Sequence, residues 1–255
     1  MSKQIAVISC SDVARIALYI NRAGKSLSTI MAETGADYGM NGGLFSGNKS
    51  LCNVKVDGVV VNDPGWTEYG YTWDEGPDLT MEIIPSDKKN YIGCVCLKNA
   101  VKTPEPAYQP DMGGKRGRTA IGMAGDHLIL YCTGDGTADA STPEELQKEL
   151  IEQLQCDSAL MLDGGGSSQC EFKGRKIRSR RKVANLILVY LKKEEEQPGN
   201  GGDAADEGQP STWAKAAWER SVKKGILDGS NPSGTCTREQ LAVVLDRIGR
   251  LENGA

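Results

Sequence analysis

The chain has few of the residues on which many common functional sites depend. Of its 255 residues one is a histidine, 5% are aromatic, and no Cys-X-X-Cys pair occurs among the eight cysteines. A histidine-based metal site, a zinc ribbon and a thioredoxin-like motif are therefore not indicated. A phosphate-binding Walker loop and a dinucleotide fingerprint are also absent. The sequence predicts neither a metal nor a cofactor.

Two kinds of apolar segment are missing as well. Residues 1–10 carry no basic stretch followed by a long apolar run, and no segment approaches membrane-spanning length. We therefore expect synthesis in a cytoplasm without a signal peptide, free cysteine thiols and no membrane partner. The formal net charge of −4 argues against nucleic acid as the main partner.

What is present predicts an α+β protein in two parts. Apolar strand-like segments and two capped helices suggest a mixed β-sheet with peripheral helices over residues 1–191. We expect one helix over 26–34, with Ser26 or Ser28 as its cap, and another from Ser141 or Thr142 to Leu154. Residues 192–210 are acidic and glycine-rich, which is typical of a flexible linker, and 211–255 suggest a small helical module.

The most informative segment is residues 160–169, LMLDGGGSSQ. An apolar strand delivers Asp163 into three glycines and two serines. Glycines let a ligand approach the backbone, whose N–H groups can bind an anion. Asp163 is then a candidate general acid, general base, nucleophile or sugar-hydroxyl acceptor. The structural alternative is a plain turn in which Asp163 accepts hydrogen bonds from its own loop.

Three further segments suggest the rest of a cleft. Asn41, Gly42 and Gly43 also end a strand, and the amide of Asn41 suits sugar hydroxyls. Arg118 begins an apolar strand, where a guanidinium suits a phosphate clamp. The basic segment 175–182 looks like a solvated hairpin face with Arg181 as its best inward-facing arginine. Each segment alone is also consistent with an ordinary turn or surface residue.

Taken together, these motifs resemble the phosphodiester glycosidase family. The likeness spans about 14–191 and rests on five motifs in the family's order. They are NGGLF at 41–45, RTAIG at 118–122, YCTGDG at 131–136, LDGGGSS at 162–168 and RKVAN at 181–185. The chain departs from the family at Thr137, where the family often has arginine.

The resemblance implies hydrolysis of the glycosidic C–O bond of a sugar-1-phosphodiester, such as an N-acetylglucosamine-1-phosphodiester. Asp163 would be the catalytic or sugar-orienting carboxylate and Asp135 the second acid. The implied substrate-binding residues are Asn41, Gly42, Gly43, Arg118, Thr119, Gly164, Gly165, Gly166, Ser167, Ser168 and Arg181. The rival functions are a phosphodiesterase that breaks the P–O bond and a non-catalytic sugar-phosphate binding protein.

Residues 211–255 resemble a single S-layer homology repeat, with WA at 213–214 and TREQL at 237–241. That resemblance implies binding to a cell-wall polymer, and a lone repeat suggests association of several chains. The pairing of domains suggests a phage or Gram-positive wall-processing protein with a teichoic-acid-like substrate. Its place of action would be the bacterial cell wall or a phage-infected cell.

Overall fold

The computed structural model describes residues 2–193 and 215–227. The chain divides into two units, Met1–Lys193 and Glu194–Ala255. The strands are β1 (Lys3–Ser9), β2 (Val13–Ile20), β3 (Tyr38–Asn41), β4 (Phe45–Ser46), β5 (Lys49–Ser50), β6 (Val54–Val56), β7 (Val59–Asn62), β8 (Glu68–Trp73), β9 (Thr80–Ile84), β10 (Asn90–Gly93), β11 (Val95–Lys98), β12 (Thr119–Ala124), β13 (His127–Thr133), β14 (Ser158–Met161), β15 (Cys170–Phe172), β16 (Arg175–Ile177) and β17 (Asn185–Leu191). The α-helices are α1 (Leu27–Thr34), α2 (Pro143–Lys148) and α3 (Lys215–Lys223).

The first unit is built from three five-stranded sheets and one short hairpin. The strand orders are β1-β13-β12-β14-β11, β16-β15-β3-β17-β2 and β7-β6-β10-β8-β9, with β4 paired to β5. A largely β protein with few helices agrees with the predicted α+β class. One large apolar core contains buried residues from all three five-stranded sheets.

The predicted mixed sheet is corrected, because every strand pair within the described residues is antiparallel. The reason lies in the two strand-helix-strand segments. Helix α1 connects β2 to β3, which run in the same direction, but β17 lies between them and is antiparallel to both. Helix α2 connects β13 to β14, and β12 separates that pair in the same way.

Both helices begin where their capping residues predict. The Ser26 hydroxyl accepts from the Thr29 N–H at the start of α1, and Gly35 ends that helix in a left-handed conformation. Helix α2 opens with Thr142 and Glu145 in a reciprocal capping box. It does not stay α-helical to Leu154, because a π-helical turn covers Glu149–Gln153.

The sequence does not predict strand β8, because its residues, EYGYTW, combine charge, glycine and aromatics. Tertiary contacts fix it instead. The Trp73 indole N–H donates to the Ile16 carbonyl at 3.0 Å, and the Tyr71 hydroxyl lies 2.8 Å from the Ser158 hydroxyl. Through these contacts β8 connects its own sheet to the two sheets that carry the motifs of the candidate site.

Of the second unit, only residues 215–227 are described, and they contain α3. The rest of the predicted module at 211–255 and all but two residues of the predicted linker at 192–210 lie outside the described residues. None of the described helices has the length and apolar character needed to cross a bilayer. The seven cysteines in the described part of the chain are free thiols.

Candidate active site

The Asp163 loop follows β14 at the meeting point of two sheets. The Leu162 N–H donates to the Thr119 carbonyl at 2.8 Å, and the Asp163 N–H donates to the Gly42 carbonyl at 3.1 Å. The Asp163 carboxylate accepts from the Gly164 N–H at 2.9 Å. The hydrogen bond of the structural alternative is therefore present, and the loop lies where β3 ends and β12 begins.

The Asp163 carboxyl is half-buried, and its pKa is raised above the ordinary value for aspartate. Burial is the main cause, because it disfavours the charged form. Hydrogen bonds from the Ser167 hydroxyl and the Gly164 N–H act in the opposite direction, as does the positive charge of Arg181. A carboxyl whose pKa is shifted by burial and by specific neighbours in this way is typical of functional sites.

Asn41 holds this arrangement together from inside the protein. Its side chain is fully buried, and its Oδ1 accepts from the Thr119 hydroxyl at 2.7 Å and the Gln169 N–H at 3.1 Å. Its Nδ2 donates to the Asp163 carbonyl at 2.7 Å and to the Gly42 carbonyl at 3.2 Å. Asn41 thus positions the Asp163 loop, and its predicted contact with a sugar stays a prediction.

Two glycines of the loop allow close packing against the chain before Arg118. A Cβ on Gly164 would lie 2.8 Å from the Gly117 carbonyl oxygen. Gly165 has a φ of +56°, and its N–H donates to that same oxygen at 2.7 Å. Gly166, in contrast, is exposed and has open space around the position of its missing Cβ. Of the three glycines, Gly166 therefore has the most open surroundings.

Gly42 and Gly43 are buried beside β17. The Gly42 N–H donates to the Asn185 carbonyl at 2.9 Å, and the Asn185 amide donates to the Gly43 carbonyl at 3.5 Å. Thr119 is also fully buried. Gly42 and Thr119 bond to the Asp163 segment through their carbonyls, and none of these three predicted ligands lines the cleft described next.

A cleft of about 810 Å³ opens beside the loop. Its lining consists of Gly165, Gly166, Ser168 and Asp135, together with residues 176–181 and Ser2, Gly134 and Thr137. The Asp135 carboxylate accepts from the Gly117 N–H at 2.9 Å, which fixes its orientation. The volume lies in the range of small-molecule sites.

Arg181 connects this cleft to Asp163. One of its guanidinium nitrogens donates to the Ser167 hydroxyl oxygen at 3.0 Å, and that hydroxyl hydrogen-bonds to the Asp163 carboxyl. The Arg181 backbone is fixed too, because its carbonyl accepts from the Gln169 side chain at 3.0 Å. A preorganised guanidinium thus lies between the cleft and the candidate catalytic carboxyl.

Arg118 does not line this cleft. It is 1% exposed, and its guanidinium donates to the carbonyls of Ser141, Met112 and Gly114 at 2.7, 2.9 and 2.6 Å. Burial lowers its pKa, and the nearby charge of Arg116 lowers it further. These bonds anchor the loop ahead of β12. The predicted phosphate contact would require several of them to break, and it stays a prediction.

The basic segment contributes more to the site than sequence indicates. Arg178 and Arg180 line the cleft together with Arg181, whereas sequence reasoning expects one inward arginine. The missed signal is Ser179, whose hydroxyl donates to the Gly166 carbonyl and accepts from the Arg181 N–H at 2.9 Å. No group of three or more histidine, cysteine, aspartate or glutamate side chains within 2–193 and 215–227 is arranged to hold a metal.

Gly164 and Gly166 lie in different surroundings, so alanine substitutions at these two positions form a matched pair of variants. We expect Gly164→Ala to destabilise the protein by about 1–3 kcal/mol, because the new methyl group meets the Gly117 carbonyl. Gly166→Ala should change stability by less than about 0.5 kcal/mol. Urea unfolding of both variants tests this difference, and equal losses would contradict the loop packing.

Comparisons with known proteins agree with this fold and its motifs. A model of the phosphodiester glycosidase family matches residues 34–190. Among solved structures, the catalytic domain of zebrafish N-acetylglucosamine-1-phosphodiester alpha-N-acetylglucosaminidase, auto-inhibited by its pro-peptide, is similar with a TM-score of 0.56 and 16% identity. The match covers 75% of this chain and 84% of that one.

A hypothetical protein from Synechocystis is similar with a TM-score of 0.53 and 14% identity, over 74% of this chain and 59% of that one. A search of curated proteins gave no match. At these identities the solved structures show the fold alone, whereas the family match covers more than half of the chain. The chain belongs to the phosphodiester glycosidase family.

Proposed function

We propose that the first unit hydrolyses the glycosidic C–O bond of a sugar-1-phosphodiester. One observation carries this proposal: Asp163, with its raised pKa, is linked through Ser167 to Arg181 at the edge of a glycine-lined cleft. A carboxylate and a guanidinium on either side of one serine hydroxyl suit a substrate that develops positive charge on a sugar carbon while a phosphate departs. Membership of the phosphodiester glycosidase family supports this class of reaction.

The roles follow from where charge develops. Arg181 binds the phosphodiester and stabilises the negative charge that the departing phosphate oxygen acquires when the C–O bond breaks. Ionised Asp163 stabilises the positive charge on the sugar carbon or orients the ring. Asp135, on the cleft wall, accepts a proton from the water that adds to that carbon. A phosphate is a good leaving group, so this reaction needs little acid assistance.

The finer identity of the substrate is part of the proposal. We assign an N-acetylglucosamine-type sugar and a wall-polymer or teichoic-acid-like aglycone, on the basis of the sequence motifs and the likeness of 211–255 to an S-layer homology repeat. Binding of a wall polymer, association of several chains and action at a cell wall or in a phage-infected cell rest on that likeness alone. Most of that segment lies outside the described residues.

Hydrolysis of a sugar-1-phosphodiester in ¹⁸O-labelled water tests the proposed bond cleavage. We expect a free sugar and a phosphomonoester without ¹⁸O, because water attacks carbon. Label in the phosphate would identify a phosphodiesterase. Saturable binding without product would identify a sugar-phosphate binding protein, and either result would overturn the glycosidase assignment.

A further inference from the structure

The cleft carries more positive charge than one phosphodiester requires. Arg178, Arg180 and Arg181 all line it, and none of them forms an ion pair with a carboxylate in the described part of the chain. Lys176 also lines it but is paired with Glu171 at 3.0 Å. The chain as a whole has a net charge of −4, so this concentration of unpaired arginines is local.

The arginines are held in place, although their side chains are exposed. The Ser179 hydroxyl, between Arg178 and Arg180, bonds to the Gly166 carbonyl on the facing wall. The Gln169 side chain holds the Arg181 carbonyl from the same side. Because the backbone of this segment is fixed to the Asp163 loop, the arginines lose less freedom on binding an anion than they would on a mobile loop.

We propose that the cleft selects substrates that carry at least one phosphate beyond the scissile one, with Arg178 and Arg180 binding the additional charge. This inference rests on the proposed function and narrows its substrate class. The additional phosphate is either adjacent, as in a nucleoside diphosphate sugar, or one polymer unit away, as in an oligomeric phosphodiester. Both share the chemistry of a second anionic phosphate within reach of the arginine pair.

The test assays the full-length protein on three substrates that contain the same sugar. One is a methyl phosphodiester, one a nucleoside diphosphate sugar, and one a short oligomer with two phosphodiesters. The double variant Arg178→Gln/Arg180→Gln removes the arginine pair. The control Arg175→Gln/Lys182→Gln removes the same charge from two residues of the same segment that do not line the cleft.

The quantity measured is kcat/KM on a doubly charged substrate divided by kcat/KM on the methyl phosphodiester. We expect this ratio to fall about tenfold in Arg178→Gln/Arg180→Gln and to stay within twofold in the control. The substrate whose ratio falls identifies the source of the second phosphate. An unchanged ratio, or an equal fall in the control, would overturn the inference while leaving the hydrolase function intact.

If no substrate is hydrolysed, the proposed function fails and binding decides the further inference. Titration calorimetry then compares inorganic tripolyphosphate with inorganic phosphate. Tighter binding of tripolyphosphate by the unmodified chain, lost in Arg178→Gln/Arg180→Gln and kept in the control, would support a site for more than one phosphate. Equal affinities in all three proteins would overturn it.

Discussion

Asp163→Asn is expected to lower kcat/KM on a sugar-1-phosphodiester by about 10²- to 10⁴-fold without loss of stability. Asparagine keeps the size of the side chain and an oxygen that can accept from the Gly164 N–H. It removes the negative charge that the proposed reaction needs beside the sugar carbon. A large fall in activity with an intact fold would therefore assign the charge itself to catalysis.

Stability should rise or stay constant, and the sign follows from the direction of the pKa shift. The folded-state pKa of Asp163 lies above the unfolded value, so the folded protein holds the proton more tightly. This preference stabilises the protein at low pH and is lost as pH rises through the folded pKa, where ionisation of a half-buried group disfavours folding. The neutral amide avoids that penalty at pH 7.

The raised pKa of Asp163 also predicts the pH dependence of activity. If ionised Asp163 is required, the acidic limb of kcat/KM lies above the ordinary aspartate pKa of about 3.9. Thermal unfolding and pH profiles of the wild type, Asp163→Asn and the exposed control Asp87→Asn measure both effects. Retention of most activity in Asp163→Asn would leave this carboxyl an orienting role at most.

Asn41→Ala is expected to reduce the free energy of unfolding by about 3 kcal/mol or more. The truncation leaves the Thr119 hydroxyl, the Gln169 N–H and the Asp163 carbonyl without their partner in a fully buried site. Each unsatisfied buried group costs roughly 1–3 kcal/mol. Since native domains are stable by about 5–15 kcal/mol, this single change removes a large share of the total.

Two further variants separate hydrogen bonding from packing. Asn41→Leu fills the space without any polar atom, so it should be about as destabilising as Asn41→Ala if the bonds dominate. Asn62 is half-buried at the end of β7, and Asn62→Ala, which removes one hydrogen bond from its side-chain amide to the Cys52 carbonyl, should cost about 1 kcal/mol. Urea unfolding measures all three, and similar values for Asn41→Ala and Asn62→Ala would contradict the positioning role of Asn41.

Local chemistry made several elements predictable from sequence. Ser26 and Thr142 satisfy the first N–H groups of their helices whatever the rest of the chain does, and the Asp57-Gly58 turn joins β6 to β7 as its residue types predict. The sequence also places Asn41 and Asp163 at the ends of two buried strands, each followed by glycines, but it predicts Asn41 as a sugar ligand and not as the partner of the Asp163 carbonyl.

Long-range pairing was not predictable in the same way. Nothing local to β17 or β12 indicates that each inserts between two strands joined by a helix. The direction of the Arg118 side chain is another case, because carbonyls of Met112 and Gly114 in the preceding loop, and of Ser141, determine it. A sequence shows that an arginine begins a strand, but only the packed loops show whether it faces a substrate.

The N-terminal strands lie outside the family match, yet the two sheets at the site depend on them. The match begins at residue 34, while β1 pairs with β13 over seven residues and β2 pairs with β17 over most of its length. A fragment cut at the homology boundary would expose one edge of β13 and one of β17, and unpaired edges of that length promote aggregation. The folding unit is therefore larger than the evolutionary signature, and expression of the isolated domain should begin before β1.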